Sequence, residues 1–170
     1  MRVPKAIPVV LALATGWSCA YAAADFTTIR RTQISLNDAS PRLLVNFTLP
    51  ADLNTSTSTA NSAVLDFEAL GSEFNANEVY VNPPTTVCTD DGSTDANQPA
   101  SIGDVQEHDD SSLKTEWAAN HIAFSSGLLQ TGTNQLMICI RSIAGEAGSG
   151  AGNLDDVSLR SIVLHYHTSQ

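Results

Sequence analysis

Asp91, Ser93, Asp95 and Asn97 place oxygen-bearing side chains at every second position, the spacing with which a loop wraps calcium. A loop of that kind turns on a glycine at its sixth position and closes on a glutamate at its twelfth. Here Ala96 and Ile102 stand in those places, so the segment reads first as a solvated acidic loop. Asp155 and Asp156 stand at the entrance of an alternating apolar segment. Carboxylates so placed satisfy backbone amides in an acidic turn. His165 and His167 lie two apart, hence on one face of an extended segment, where two imidazoles could share a metal. His108 and His121 belong to other segments and supply no adjacent third ligand, so two solvent-facing imidazoles are expected.

Hydrolytic and phosphate-binding chemistry lack their motifs. In Gly148-Ser149-Gly150 the position of the first glycine of a nucleophile elbow is taken by Ala147. The glycine-rich run from Gly145 to Gly152 does not end in the Gly-Lys-Ser/Thr that grips phosphates. No catalytic residue is assigned, and the chain is expected not to be an enzyme. Aromatic rings that could stack on a sugar are few. Phe47, Phe67 and Phe124 share the parity of apolar neighbours and read as core. Tyr80 points opposite Val79 and Val81, and Trp117 precedes its strand, so these two are the candidates for a loop-surface ligand contact. Asn46-Phe47-Thr48 and Asn54-Thr55-Ser56 match the glycosylation pattern, the first of them inside a strand.

Positions 1–24 read as a signal peptide. Arg2 and Lys5 lead into the apolar run Ile7 to Ala14, and small residues at Ala20, Ala22 and Ala24 offer cleavage sites. Cys19 leaves a lipoprotein reading open, but Gly16-Trp17-Ser18 before it lacks the aliphatic residue of such sites, and cleavage near Ala22 to Ala24 is favoured. The apolar run is shorter than the roughly 20 residues a membrane span needs, and no later segment is longer. Localisation is therefore expected to be secreted or periplasmic. The remaining 25–170 are one domain by length, large enough to bury a core. Loss of Arg2 and Lys5 takes the net charge from −10 to −12. Such an acidic chain repels nucleic acid and anionic lipid. Of three cysteines, Cys19 leaves with the signal peptide. Cys88 and Cys139 then have only each other in an oxidising compartment, and neither belongs to a CxxC motif. A bridge between them, closing about 50 residues, would contribute roughly 4 kcal/mol in the chain-entropy treatment.

The apolar pattern has period two almost throughout. Leu43, Val45, Phe47 and Leu49 alternate with Leu44, Asn46 and Thr48 until Pro50. Ala63, Leu65, Phe67 and Ala69 alternate until Gly71, and Val79 and Val81 flank Tyr80 before Pro83-Pro84. Ile122 pairs in parity with Phe124, and Leu136, Ile138 and Ile140 lie opposite Met137, Cys139 and Arg141. These are strands with one face buried and one face out. A single helical turn is expected around Ser125 to Leu129. The polar stretch 83–112 is too long for an ordinary connection, which points to function, disorder or a missed element. In the last segment Val157 and Leu159 share one parity while Ile162, Leu164 and Tyr166 share the other. A β-bulge or bend near Arg160-Ser161 is needed to bring both sets to the core.

From Ala63 to Tyr166 the order of motifs resembles the galactose-binding-like β-sandwich, the jelly roll of many extracellular carbohydrate-binding modules. The likeness is carried by Glu78-Val79-Tyr80-Val81-Asn82, by Trp117 with Ile122, and by Leu128-Leu129 followed by Gly132-Thr133-Asn134-Gln135-Leu136. Asp155-Asp156-Val157 through Leu164 completes it, with Val157 where an aromatic is expected. The resemblance implies an all-β fold, a two-sheet antiparallel β-sandwich of jelly-roll type. It also implies a non-catalytic binding or adhesion module, with carbohydrate the first ligand class and a structural calcium a further expectation. The alternative is a structural envelope or pilus-like subunit whose partner is another surface protein, although Thr168-Ser169-Gln170 after Tyr166 does not fit a donor-strand terminus. A hydrolase ranks last.

Overall fold

A computed structural model describes residues 23–56, 62–72, 77–83, 101–106, 116–140 and 154–169. The alternating segments become strands: β1 (Ala23–Arg30), β2 (Ile34–Leu36), β3 (Arg42–Leu49), β4 (Ser62–Leu70), β5 (Glu78–Val81), β6 (Gly103–Asp104), β7 (Ala118–Ser125), β8 (Gly132–Cys139) and β9 (Val157–Thr168). Two antiparallel sheets form. The five-stranded sheet runs β1-β9-β4-β7, with β2 also paired to β9, and the four-stranded sheet runs β3-β8-β5-β6. Among the described residues the only helical element is one 3-10 turn, Ser126–Leu128, at the place the sequence suggests.

Period-two alternation places one apolar row of each strand between the sheets. Leu65, Phe67, Leu136, Ile138, Ile162 and Leu164 belong to one cluster and are no more than 2% exposed. At roughly 25 cal/mol per Å² of apolar surface removed from water, this shared core is the main force holding the two sheets together. The parity break in β9 is resolved by a bulge. Ser161 takes a left-handed φ of 55°, and the pairing shifts register opposite it, between Thr28 and Arg30 on β1 and between Asp66 and Glu68 on β4. Val157 and Leu159 before the bulge and Ile162, Leu164 and Tyr166 after it all face inward. Gly71 ends β4 with φ 84°, and a Cβ there would lie 2.6 Å from the Asp156 carbonyl oxygen, so the sharp exit admits only glycine.

Three features depart from the sequence reading. The N-terminal segment, which has no clean alternation, forms edge strands β1 and β2. The long polar stretch contains β6, whose neighbours are tied in by Ile102 N–H donating to Val79 O and Val105 N–H donating to Asn77 O, both at 2.8 Å. Met137 and Cys139, assigned to an outward face, are 1% and 0% exposed and form a second apolar cluster with Tyr80. The second half of β8, from Leu136 to Cys139, is thus buried on both faces. The presumed partner of Cys139, Cys88, lies outside the described residues, as do positions 1–22 of the signal peptide with Cys19, the Asp91–Asn97 series, His108 and the Gly145–Gly152 run; the last two positions of the expected signal peptide, Ala23 and Ala24, fall in β1.

Candidate functional site: an amide-lined cleft

The outer face of the four-stranded sheet is assembled by strand register. Asn46 of β3 lies opposite Gln135 of β8, and Tyr80 of β5 lies opposite Met137. At one end of this face five amide side chains converge: Asn46, Asn82, Gln130, Asn134 and Gln135. With Thr133 and Pro83 they line an open cleft of about 360 Å³.

Two of the amides build the cleft. Asn82, in a left-handed conformation with φ 47°, ends β5. Its backbone N–H donates to Gln135 O at 2.9 Å, and its Oδ1 accepts from Gln135 N–H at 2.8 Å. Its Nδ2 donates to Leu128 O at 2.9 Å and to Asn134 Oδ1 at 2.8 Å. Asn tolerates such a φ better than other non-glycine residues, because its short polar side chain bonds locally. Asn134 is buried; its Oδ1 also accepts from Gln130 N–H at 2.9 Å, and its Nδ2 donates to Gln130 O and Gly132 O at 2.7 and 3.0 Å. These bonds join the end of β5, the 3-10 turn and the start of β8 into one rigid corner.

The other groups have valences left over. Gln135 Nε2 donates to Asn46 Oδ1 at 3.3 Å, and Gln130 Nε2 donates to Thr133 O at 2.7 Å. Among the described residues, Asn46 Nδ2, Gln135 Oε1, Gln130 Oε1 and the Thr133 hydroxyl have no protein partner. An amide offers two donors and an acceptor with two lone pairs, and a hydroxyl offers both roles. The described lining of the cleft therefore presents mixed donors and acceptors without charge, which can hold a polyhydroxylated ligand.

The residues singled out from sequence are not brought together. Tyr80 is 2% exposed beneath the four-stranded sheet's outer surface and does not reach a loop surface. Trp117 belongs to the other sheet, where the Arg160 guanidinium carbon sits 3.9 Å from its ring centroid. Arg160 in turn forks onto Glu68, Nε to Oε2 at 2.7 Å and Nη2 to Oε1 at 3.2 Å. The hydrogen bond from Arg160 holds the Glu68 carboxyl below its ordinary range, with a Ser161 hydrogen bond and the Arg160 charge assisting against partial desolvation. Neighbouring Asp66 accepts from His121 Nδ1 at 2.7 Å and lies 3.0 Å from His165 Nε2, while the third imidazole on this face, His167, is half-buried with its buried Nδ1 lacking a hydrogen-bond partner among the described residues. His165 is exposed and outward as expected, with Asp66 beside its Nε2.

Asp155 and Asp156 diverge. Asp155 is buried and accepts from Asn77 Nδ2, which also donates to Ser72 Oγ at 3.2 Å. Asp156 is exposed and borders a separate cleft of about 270 Å³ with Asn37 and Ser158. Among the described residues no three His, Cys, Asp or Glu side chains converge as a metal site.

No family model matches the chain, and no curated protein matches it. Among solved structures it is similar to a beta-porphyranase of glycoside hydrolase family 86 from the human gut bacterium Bacteroides plebeius, with 13% identity and a TM-score of 0.48. The match covers 89% of this chain and 22% of the enzyme's, so the chain spans about a fifth of that protein's length. No helix among the described residues is long and apolar enough to cross a membrane.

Proposed function

We propose that the chain is an exported, non-catalytic carbohydrate-binding module on a galactose-binding-like jelly roll, stabilised by a Cys88–Cys139 bridge. The strand order supports the jelly roll. If β1 and β2 count as one interrupted edge strand, the five-stranded sheet takes the first, eighth, third and sixth strands of an eight-strand antiparallel roll. The four-stranded sheet takes the second, seventh, fourth and fifth, as a rolled-up pair of Greek keys requires. The observation that carries the binding function is the amide cleft. It is prebuilt by Asn82 and Asn134, and it leaves uncharged donors and acceptors unengaged at the mouth. Prebuilding lowers the entropy cost of fixing a ligand, so modest hydrogen bonds can yield measurable affinity.

A glycan array probed with the exported protein, with and without calcium, tests this function. Binding to a defined set of glycans is expected in both conditions. Failure to bind any glycan, together with self-association into larger assemblies, would replace it with a structural surface subunit. Release of new reducing ends from a bound glycan would replace it with a hydrolase.

A further inference from the structure

The composition of the cleft narrows the ligand. Its described lining is five amides, one hydroxyl and one proline, with no charged side chain. Sulfate and carboxylate groups on a glycan are held best by Arg or Lys, ideally in a forked pair of hydrogen bonds that offsets the water they lose. The described cations are elsewhere. Arg160 is on the other sheet and engaged by Glu68, and Arg42 lies on the same face four residues along β3 from Asn46. In the same cross-strand row as Arg42, four residues along β5 from Asn82, stand Glu78 and Asp104, opposite one another on β5 and β6. Burial, and after it the nearby Glu78 charge, push the Asp104 carboxyl up. The chain carries a net charge of −10, which disfavours the approach of anions in general.

The same geometry limits how a sugar is held. Tyr80 is the only aromatic among the described residues on the outward rows of β3, β5 and β8, and it is packed against Met137 and Cys139. It offers no free ring face for stacking. The Asn46 and Gln135 side chains, joined by their own hydrogen bond, present a free donor and a free acceptor side by side. Two neighbouring ring hydroxyls have that complementary pair of roles.

We infer that the cleft selects an uncharged saccharide, grips it along a hydroxyl edge through Asn46 and Gln135 without aromatic stacking, and excludes sulfated or uronate-bearing glycans. The inference rests on the carbohydrate-binding function proposed above. Affinity electrophoresis against paired soluble polysaccharides, neutral and anionic forms of the same backbone, tests it at about 50 mM and about 500 mM NaCl. The neutral member should bind at least about tenfold more tightly than the anionic one, with less than about a twofold change between the two salt concentrations. The double variant Asn46→Ala, Gln135→Ala should lose about tenfold or more in binding with an unchanged thermal midpoint. Anionic binding as tight as neutral, or binding that falls steeply with salt, overturns the inference and leaves the carbohydrate function standing. Full binding by the double variant overturns the assigned grip. Absence of binding to either member overturns both the inference and the function beneath it.

Discussion

The two outer faces of the sandwich use polar side chains in opposite ways. On the five-stranded sheet the charges satisfy one another: Asp66 holds His121 and His165, and Glu68 holds Arg160, which lies over Trp117. Side chains so engaged have little left for a ligand, and a newcomer would have to break existing bonds before making its own. On the four-stranded sheet an apolar patch of Tyr80, Met137 and Cys139 adjoins a cleft of neutral amides, some fixed and some free. A count of polar residues would not separate these faces. What separates the Asp66 and Glu68 clusters from the cleft is whether the hydrogen-bonding capacity is already closed within the protein; His167 Nδ1, buried without a partner among the described residues on the five-stranded sheet, stands outside those clusters.

If the four-stranded sheet is covered as well as cored, β8 should be intolerant on both sides. Ile138→Ala should destabilise by about 2–5 kcal/mol, and Met137→Ala should fall in the same range although it points the other way. Urea unfolding of the two variants compares them, and a near-zero cost for Met137→Ala would remove the second cluster from the account. A smaller effect is expected at the corner. Asn134→Ala strips the Gln130 amide and the Asn82 side chain of an acceptor and should cost about 1–3 kcal/mol. It should also weaken saccharide binding by loosening the cleft.

Asp104 tests the repulsive part of the same face. Its carboxyl is raised above the ordinary 3.8, so folding disfavours its charged form. Its contribution is therefore most favourable below that value and is lost as pH rises through the folded-state value. Asp104→Asn should stabilise the protein at neutral pH by less than about 1 kcal/mol after solvent screening, and the gain should vanish in acid. The smallest effect belongs to Glu68, whose carboxyl is lowered from 4.5 by Arg160. Here the stability is present above 4.5 and disappears as pH falls through the lower folded-state value. Both partners are about 37% exposed, so Glu68→Gln should cost at most about 1 kcal/mol at neutral pH. Thermal midpoints measured from pH 3 to pH 7 would show the opposite slopes of the two variants relative to the parent.

The strands with one wet face were legible in the sequence because alternation is the direct imprint of that environment; β3, β4 and β7 follow it. The bulge at Ser161 was legible for the same reason, since only a register slip lets Leu159 and Ile162 face one core. The double burial of β8 was not, although Leu136 to Ile140 is an unbroken apolar run, the mark of a strand covered on both faces. Strand β1 escaped notice because an edge strand half open to water needs no alternation, and β6 because two residues cannot display a period. The cleft has almost no sequence signal. Thr131-Gly132-Thr133-Asn134 is recognisable as a turn, but Asn46, Asn82 and Gln135 meet only through register between distant strands. The Asp66–His121–His165 cluster was hidden likewise, each member lying on a different strand.

The most direct measurement is an NMR titration of the folded protein with a neutral oligosaccharide that it binds, following backbone and side-chain amide resonances. The account predicts that the side-chain amide signals of Asn46, Gln130 and Gln135 shift first and saturate together, while signals near His121, His165 and Trp117 stay in place. Shifts centred on the five-stranded sheet, with the cleft amides unmoved, would contradict it.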